Sequence, residues 1–193
     1  VQTTTTQQVS IANETAVSTT SSGTSVAQAT AAASSSQNQS KYEANVASVA
    51  GKMDNRVIAA YQQLGFKLVV DPSVNYSGYF DARSRSITMK QIDDSVYHEL
   101  GHFLAFIAGN VDKTASFQSI FAAEKANVTA FNKAYVTQNA SEYFAESVKD
   151  YILNNASLKS TRPQTYAAVQ NALNQITDAQ IAKIQKIYGA FWN

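Results

Sequence analysis

The stretch VYHELGHFLAFI, residues 96–107, contains both histidines of this 193-residue chain. Its side chains are apolar on nearly every side of a helix, which predicts a buried helix that ends near Ala108. Residues four apart share one helix face, so His98 and His102 can direct two imidazoles at one metal ion. Glu99 lies beside the first of them, where a carboxylate can act as base on a zinc-activated water. The H-E-x-x-H pattern therefore predicts a zinc site with Glu99 as general base.

The third metal ligand cannot be a histidine, because the chain has no other. Catalytic zinc sites usually combine three protein ligands with a water. Five acids downstream are candidates: Asp112, Glu124, Glu142, Glu146 and Asp150. Glu142 is favoured, because Glu146 follows one helical turn later and can accept the second N–H of a ligand histidine. Glu124 is the rival, since it lies 22 residues after His102, but Val128 rather than an acid stands four residues after it.

The remaining pattern predicts an α+β protein. Apolar spacing predicts helices over 45–64, 114–128, 141–154, 163–175 and 178–191. Short β-prone runs predict strands over 66–70, 76–80 and 86–90. Gly65 and Gly109 stand just past two predicted helices, where glycine commonly ends a helix. We expect a small three-stranded mixed sheet packed over a mainly helical lower half.

The first 40 residues differ in composition from the rest of the chain. They include nine Thr, nine Ser and six Gln, with one charged residue and no aromatic residue. Such a segment cannot bury enough apolar surface to offset its ordering entropy. We therefore expect a flexible, disordered tail over 1–40 and a folded domain over 41–193. The tail is interpreted either as a spacer or as a solvated segment with no role of its own.

Charge and composition argue against several classes of protein. The 15 Lys and Arg nearly balance the 14 Asp and Glu, so bulk charge gives no reason to expect binding of nucleic acid or an anionic membrane. The absence of cysteine excludes disulfides, thiolate zinc sites and a cysteine nucleophile. No apolar run approaches the roughly 20 residues that cross a bilayer.

We expect a monomer whose partner is a protein or peptide substrate.

Two acidic motifs resemble those of a known family. HELGH at 98–102, followed by EYFAE at 142–146, is similar to the pattern of the anthrax lethal factor-like zinc metallopeptidases. That family includes small secreted proline–proline endopeptidases of Gram-positive bacteria. Tyr135 stands seven residues before Glu142, as a tyrosine does in the family.

The resemblance implies a zincin-like fold and a zinc endopeptidase of the gluzincin type, secreted by or displayed on a Gram-positive bacterium. Carried over by position, Glu142 is the third zinc ligand beside His98 and His102. Tyr135 helps stabilise the oxyanion, and Glu146 supports the site from behind. Tyr135 also suits this role on chemical grounds, because a phenol can donate to the oxyanion of a tetrahedral intermediate.

The substrate-binding region is predicted from the strands. We expect 86–90 to be an edge strand beside the active-site helix, where an extended peptide can add as a further strand. Tyr76, Tyr79 and Phe80 are candidates for lining side-chain pockets, although aromatics at strand spacing more often pack in the core. The proline–proline endopeptidases have an upstream tryptophan, whereas the only tryptophan here is Trp192. Proline–proline specificity is therefore not predicted.

Two other functions stay open. The first alternative is a non-catalytic, zinc-containing surface binding module or adhesin, with the Ser/Thr-rich tail as its stalk. The intact Glu99 argues against it, because a structural zinc site needs no base. The second alternative is an inactive chain that binds peptides at the strand edge.

Overall fold

The computed structural model describes residues 40–192. The predicted tail, residues 1–40, lies outside this range except for its last residue, so its boundary stays a prediction. Four strands are described: β1 (Tyr42–Ala44), β2 (Lys67–Val70), β3 (Gly78–Asp81) and β4 (Ser86–Met89). The α-helices of this range are α1 (Val46–Val49), α2 (Asn55–Gln63), α3 (Ser95–Ile107), α4 (Ala115–Glu124), α5 (Lys133–Val136), α6 (Ala140–Leu153), α7 (Asn155–Thr161), α8 (Pro163–Asn174) and α9 (Asp178–Trp192). The α+β class is confirmed.

The sheet differs from the prediction in two ways. It has four strands rather than three, in the order β1-β2-β4-β3, because the short and largely exposed β1 adds to β2. The prediction that 86–90 forms an edge strand is wrong. β4 lies inside the sheet, parallel to β2 and antiparallel to β3, and its Ile87 and Met89 are fully buried. The hairpin places β3 at the edge, beside α3.

The predicted helix over 45–64 is two helices. The side chain of Asn45 caps α1 by accepting hydrogen bonds from backbone N–H groups of its first turn. The side chain of Asp54 caps α2 by accepting a hydrogen bond from the backbone N–H of Arg56. A turn around Gly51 separates them. The N-cap Asp54 starts the second helix. The apolar residues keep helical spacing across the turn, and for this reason the sequence pattern predicted one continuous helix.

The helix α3 is the centre of the fold. Its apolar side chains Leu100, Phe103, Leu104 and Ile107 are fully buried. On one side it packs against β3 and on the other against α6, which makes the most extensive contact between any two described elements. It ends where predicted, because Gly109 follows with φ of +86°, a conformation that glycine adopts without strain. The core therefore fixes α3 between the sheet and α6.

No helix within residues 40–192 is both long enough and apolar enough to cross a membrane.

Candidate metal centre and active site

A single glycine sets the distance between α3 and α6. A Cβ atom on Gly101 would lie 2.7 Å from the Cα and from the carbonyl oxygen of Ala145. Non-bonded carbon atoms prefer about 3.5–4.0 Å, so only glycine allows the two backbones to approach this closely. This approach brings the acids of α6 up to the histidines of α3.

Three predicted ligands meet at this contact. The ligand atoms of His98, His102 and Glu142 all lie within 4.8 Å of one another. Oε2 of Glu142 is 3.1 Å from Nε2 of His98 and 3.6 Å from Nε2 of His102. Among the residues the structure describes, these three form the one cluster of this kind.

The donor set fits zinc. Zinc binds imidazole nitrogen and carboxylate oxygen at about 2.0–2.2 Å in a tetrahedral arrangement, which places neighbouring ligand atoms roughly 3.3 Å apart. The two separations from Oε2 of Glu142 lie close to that value. Two imidazoles and one carboxylate are also the ligand set of known catalytic zinc sites, in which a fourth position stays open.

Glu146 orients the first histidine. Its Oε2 lies 2.9 Å from Nδ1 of His98, so an N–H on Nδ1 donates to Glu146 and leaves Nε2 free to bind a metal. Its Oε1 lies 3.5 Å from Nζ of Lys149, which holds the carboxylate from the other side. The structure thus gives Glu146 the contact that its position one turn after Glu142 suggested.

The electrostatics of the cluster favour a cation. Burial alone would lower the pKa of His98, but the carboxylates of Glu142 and Glu146 outweigh burial and raise that pKa to about 9. Burial would raise the pKa of Glu142, but hydrogen bonds to His102 and His98 hold it well below its usual range. The carboxylates therefore stabilise positive charge at the point where the three ligands meet.

Glu99 lies beside this cluster without joining it. The side chain is 6% exposed, and its burial raises the pKa of the carboxyl group, opposed by the nearby His98 and His102. The backbone N–H of Phe80 on β3 also lowers that pKa by hydrogen bonding. The Glu99 carboxylate thus lies between the candidate metal ligands and β3.

Tyr135 faces the cluster from α5. The residue is 53% exposed, and partial burial together with the carboxylates of Glu142 and Glu99 raises the pKa of its phenol to about 12. The phenol therefore keeps its proton and can donate a hydrogen bond into the cleft.

The cleft has two halves that meet at Glu99. Gly78, Glu99 and Tyr135 border both halves. The first half has a volume of about 320 Å³ and its further lining includes Tyr79, Phe80, His102, Asp112 and Lys113. The second has a volume of about 370 Å³ and its further lining includes Tyr76, Ser95, His98, Asn132 and Lys149. The three predicted aromatics therefore lie along the cleft, although Phe80 also packs into the core against Phe66 and Phe103.

The other candidate acids have different surroundings. The carboxylate of Glu124 accepts hydrogen bonds from the backbone N–H groups of Gln164 and Thr165 at the start of α8. It also accepts from the Thr165 hydroxyl, and it lies outside the ligand cluster. Asp150 pairs with Arg162. Asp112 is buried and borders the first half of the cleft.

Two glycines of the site were not identified from the sequence. Neither glycine carries a reactive group, so Gly101 was given no role of its own although it lies within the HELGH motif, and Gly78 lies in no motif. The pairing of Gly101 with Ala145, both small, was the available signal for a close approach of two helices. Gly78 starts strand β3. That position points to a role in the site only once the strand order shows that β3 forms the edge of the sheet.

Part of the sequence matches a described family. Residues 82–172 match the family described as anthrax toxin lethal factor, N- and C-terminal domain. The matched segment includes the HELGH motif, Tyr135 and the EYFAE motif. The resemblance indicated by these motifs is confirmed.

One relative is more specific. Over 78 residues the chain is 41% identical to the Pro-Pro endopeptidase of Clostridioides difficile (strain 630). The match covers 38% of this chain and 34% of that protein, so the chain spans about a third of the length of the relative.

Proposed function

We propose that this chain is a secreted zinc-dependent endopeptidase that hydrolyses peptide bonds in extended protein segments. The observation that carries the proposal is the meeting of His98, His102 and Glu142 beside Glu99, in a cleft bordered by an edge strand. The family match and the endopeptidase relative support the same reaction class.

Each residue of the site has a role in this reaction. His98, His102 and Glu142 would hold the zinc ion, which when bound acts as a Lewis acid and lowers the pKa of water. Glu99 accepts a proton from the attacking water on its carboxylate and later donates it to the nitrogen of the leaving amine. Tyr135 donates its O–H to the oxygen on which negative charge develops.

Within residues 40–192 no strand pairs with the outer edge of β3, and this edge is the proposed substrate-binding edge. The N–H of Lys90 bonds to the carbonyl of Ser77, so Ser77 and Lys90 form a hydrogen-bonded pair of the β3–β4 ladder. Such pairs alternate along an antiparallel ladder, and therefore the N–H and C=O groups of Gly78 and Phe80 point away from β4. An extended peptide can pair with the groups of Gly78 and with the C=O of Phe80, whose N–H faces the Glu99 carboxylate, and present its scissile bond beside Glu99.

The test is cleavage of a diverse peptide library by the purified, zinc-loaded full chain, with Glu99→Gln as the matched variant. We expect cuts by the wild type and a loss of roughly 100- to 10,000-fold in the variant, because the amide cannot accept the proton. Zinc content should be equal in both proteins. Peptides with consecutive prolines belong in the library because the relative is named for that specificity.

Two results would contradict the proposal. Cleavage that survives Glu99→Gln would remove Glu99 from the reaction. A zinc-loaded wild type that binds peptides along β3 but cuts none of the library would favour the non-catalytic binding module.

A further inference from the structure

The residue opposite the proposed base, on the edge strand, is a glycine. Side chains alternate along a strand, and Phe80 points inward, where it packs near Phe103 of α3. Position 78 therefore faces α3 as well. A Cβ atom on Gly78 would lie 2.6 Å from Oε1, 2.7 Å from Cγ and 2.9 Å from Cδ of Glu99. The missing side chain of Gly78 is thus the space that the Glu99 carboxylate occupies.

The two components of this contact differ in how easily they can move. Gly78 is held in the sheet opposite Met89, in register with the buried strand β4. Its neighbours across the contact are Cγ, Cδ and Oε1 of Glu99, which belong to one side chain and not to the backbone. We therefore expect a side chain at position 78 to displace the Glu99 side chain rather than the paired strand. The contact at Gly101 is the opposite case, because there the neighbour is backbone.

We propose that Gly78 is a positioning residue for the base Glu99. By having no side chain, it lets the edge strand lie directly against the carboxylate and fixes where that carboxylate points. This inference rests on the proposed peptidase function. The three atoms nearest to a Cβ at position 78 all belong to Glu99 and none to a proposed metal ligand. A substitution there should therefore change the position of the base without changing zinc binding.

The test is Gly78→Ala in the zinc-loaded full chain. We expect kcat to fall on the order of 100-fold, since a displacement of about 1 Å can cost that much in an active site. Zinc affinity and the thermal midpoint should stay close to the wild-type values, and KM should change far less than kcat, because the substitution keeps the backbone N–H and C=O of position 78. The matched control is Gly189→Ala in α9, where the nearest atom to the new Cβ is 3.6 Å away and no effect on kcat is expected.

A double-mutant cycle shows whether the effect passes through Glu99. In a Glu99→Gln background, adding Gly78→Ala should lower the residual rate by less than twofold, because the displaced group no longer acts. A full additional loss there would overturn the inference, as would an unchanged kcat in Gly78→Ala alone. Loss of zinc or of fold in Gly78→Ala would assign the glycine a structural role instead.

A crystal structure of zinc-loaded Gly78→Ala gives a result that does not depend on any substrate. It should show the Glu99 carboxylate moved by about 1 Å or more from its wild-type position, with the ligands in place. An unmoved carboxylate overturns the inference even if the variant is less active. If the wild type itself cuts nothing, the proposed function fails, while this structure still decides whether Gly78 places Glu99.

Discussion

At the residue scale, the chemistry of the site follows from few side chains with fixed spacing. His98 and His102 lie one turn apart on one face of α3, and Glu142 and Glu146 lie one turn apart on one face of α6. These spacings could be recognised in the sequence, because a helix converts a difference of four positions directly into a shared direction. The choice between Glu142 and Glu124 could not be settled so simply, since it depends on which helix packs against α3.

Paired substitutions separate the two acids. Glu142→Gln should abolish zinc binding and keep the fold, because the carboxylate belongs to the ligand cluster. Added zinc should then no longer raise the thermal midpoint, as it does for a protein whose native state binds a ligand. Glu124→Ala should keep zinc binding but lose on the order of 3 kcal/mol of unfolding free energy, since it leaves donors at the start of α8 unpaired.

Zinc titration followed by thermal unfolding checks both variants. The assignment of ligands fails if Glu142→Gln binds zinc as the wild type does. It fails equally if Glu124→Ala loses zinc while remaining folded.

At the scale of elements, the close contact of α3 and α6 builds the candidate metal centre. The helices α3 and α6 were predicted nearly to their observed ends, because long periodic segments carry their own signal. The sheet was predicted less well. A strand of about four residues does not indicate from its sequence which strands it pairs with. The strand order that places β3 at the edge is instead set by the burial of β4 inside the sheet.

The contact between these helices predicts a coupled loss. In Gly101→Ala the new Cβ would meet the backbone of Ala145 at 2.7 Å, so the helices must separate. We expect about 1–3 kcal/mol of lost stability, typical of overpacking, together with weaker zinc binding. Gly189→Ala is again the control, and it should leave stability unchanged or slightly raise it, because alanine favours a helix.

Thermal unfolding and zinc affinity measured on the same Gly101→Ala sample check this coupling. Wild-type zinc affinity in a destabilised variant would show that the ligands do not depend on the helix contact.

At the scale of the whole molecule, residues 40–192 place one sheet edge, one helix pair and the short helix α5 around a common cleft. The sequence predicted the α+β class and placed the three candidate ligands on two helices with recognisable periodic spacing. It did not predict that β3 forms the edge of this cleft. That arrangement joins residues such as Gly78 and Glu99, which are distant in the chain, and it is determined by tertiary packing.

The central claim is that three side chains from α3 and α6 hold one zinc ion and leave its remaining position open to the cleft. Zinc-edge anomalous diffraction from crystals of the full chain tests this most directly. We predict one strong peak bonded to Nε2 of His98, Nε2 of His102 and the carboxylate of Glu142, with no fourth side chain. A peak elsewhere, or a fourth protein ligand that closes the site, would contradict the account.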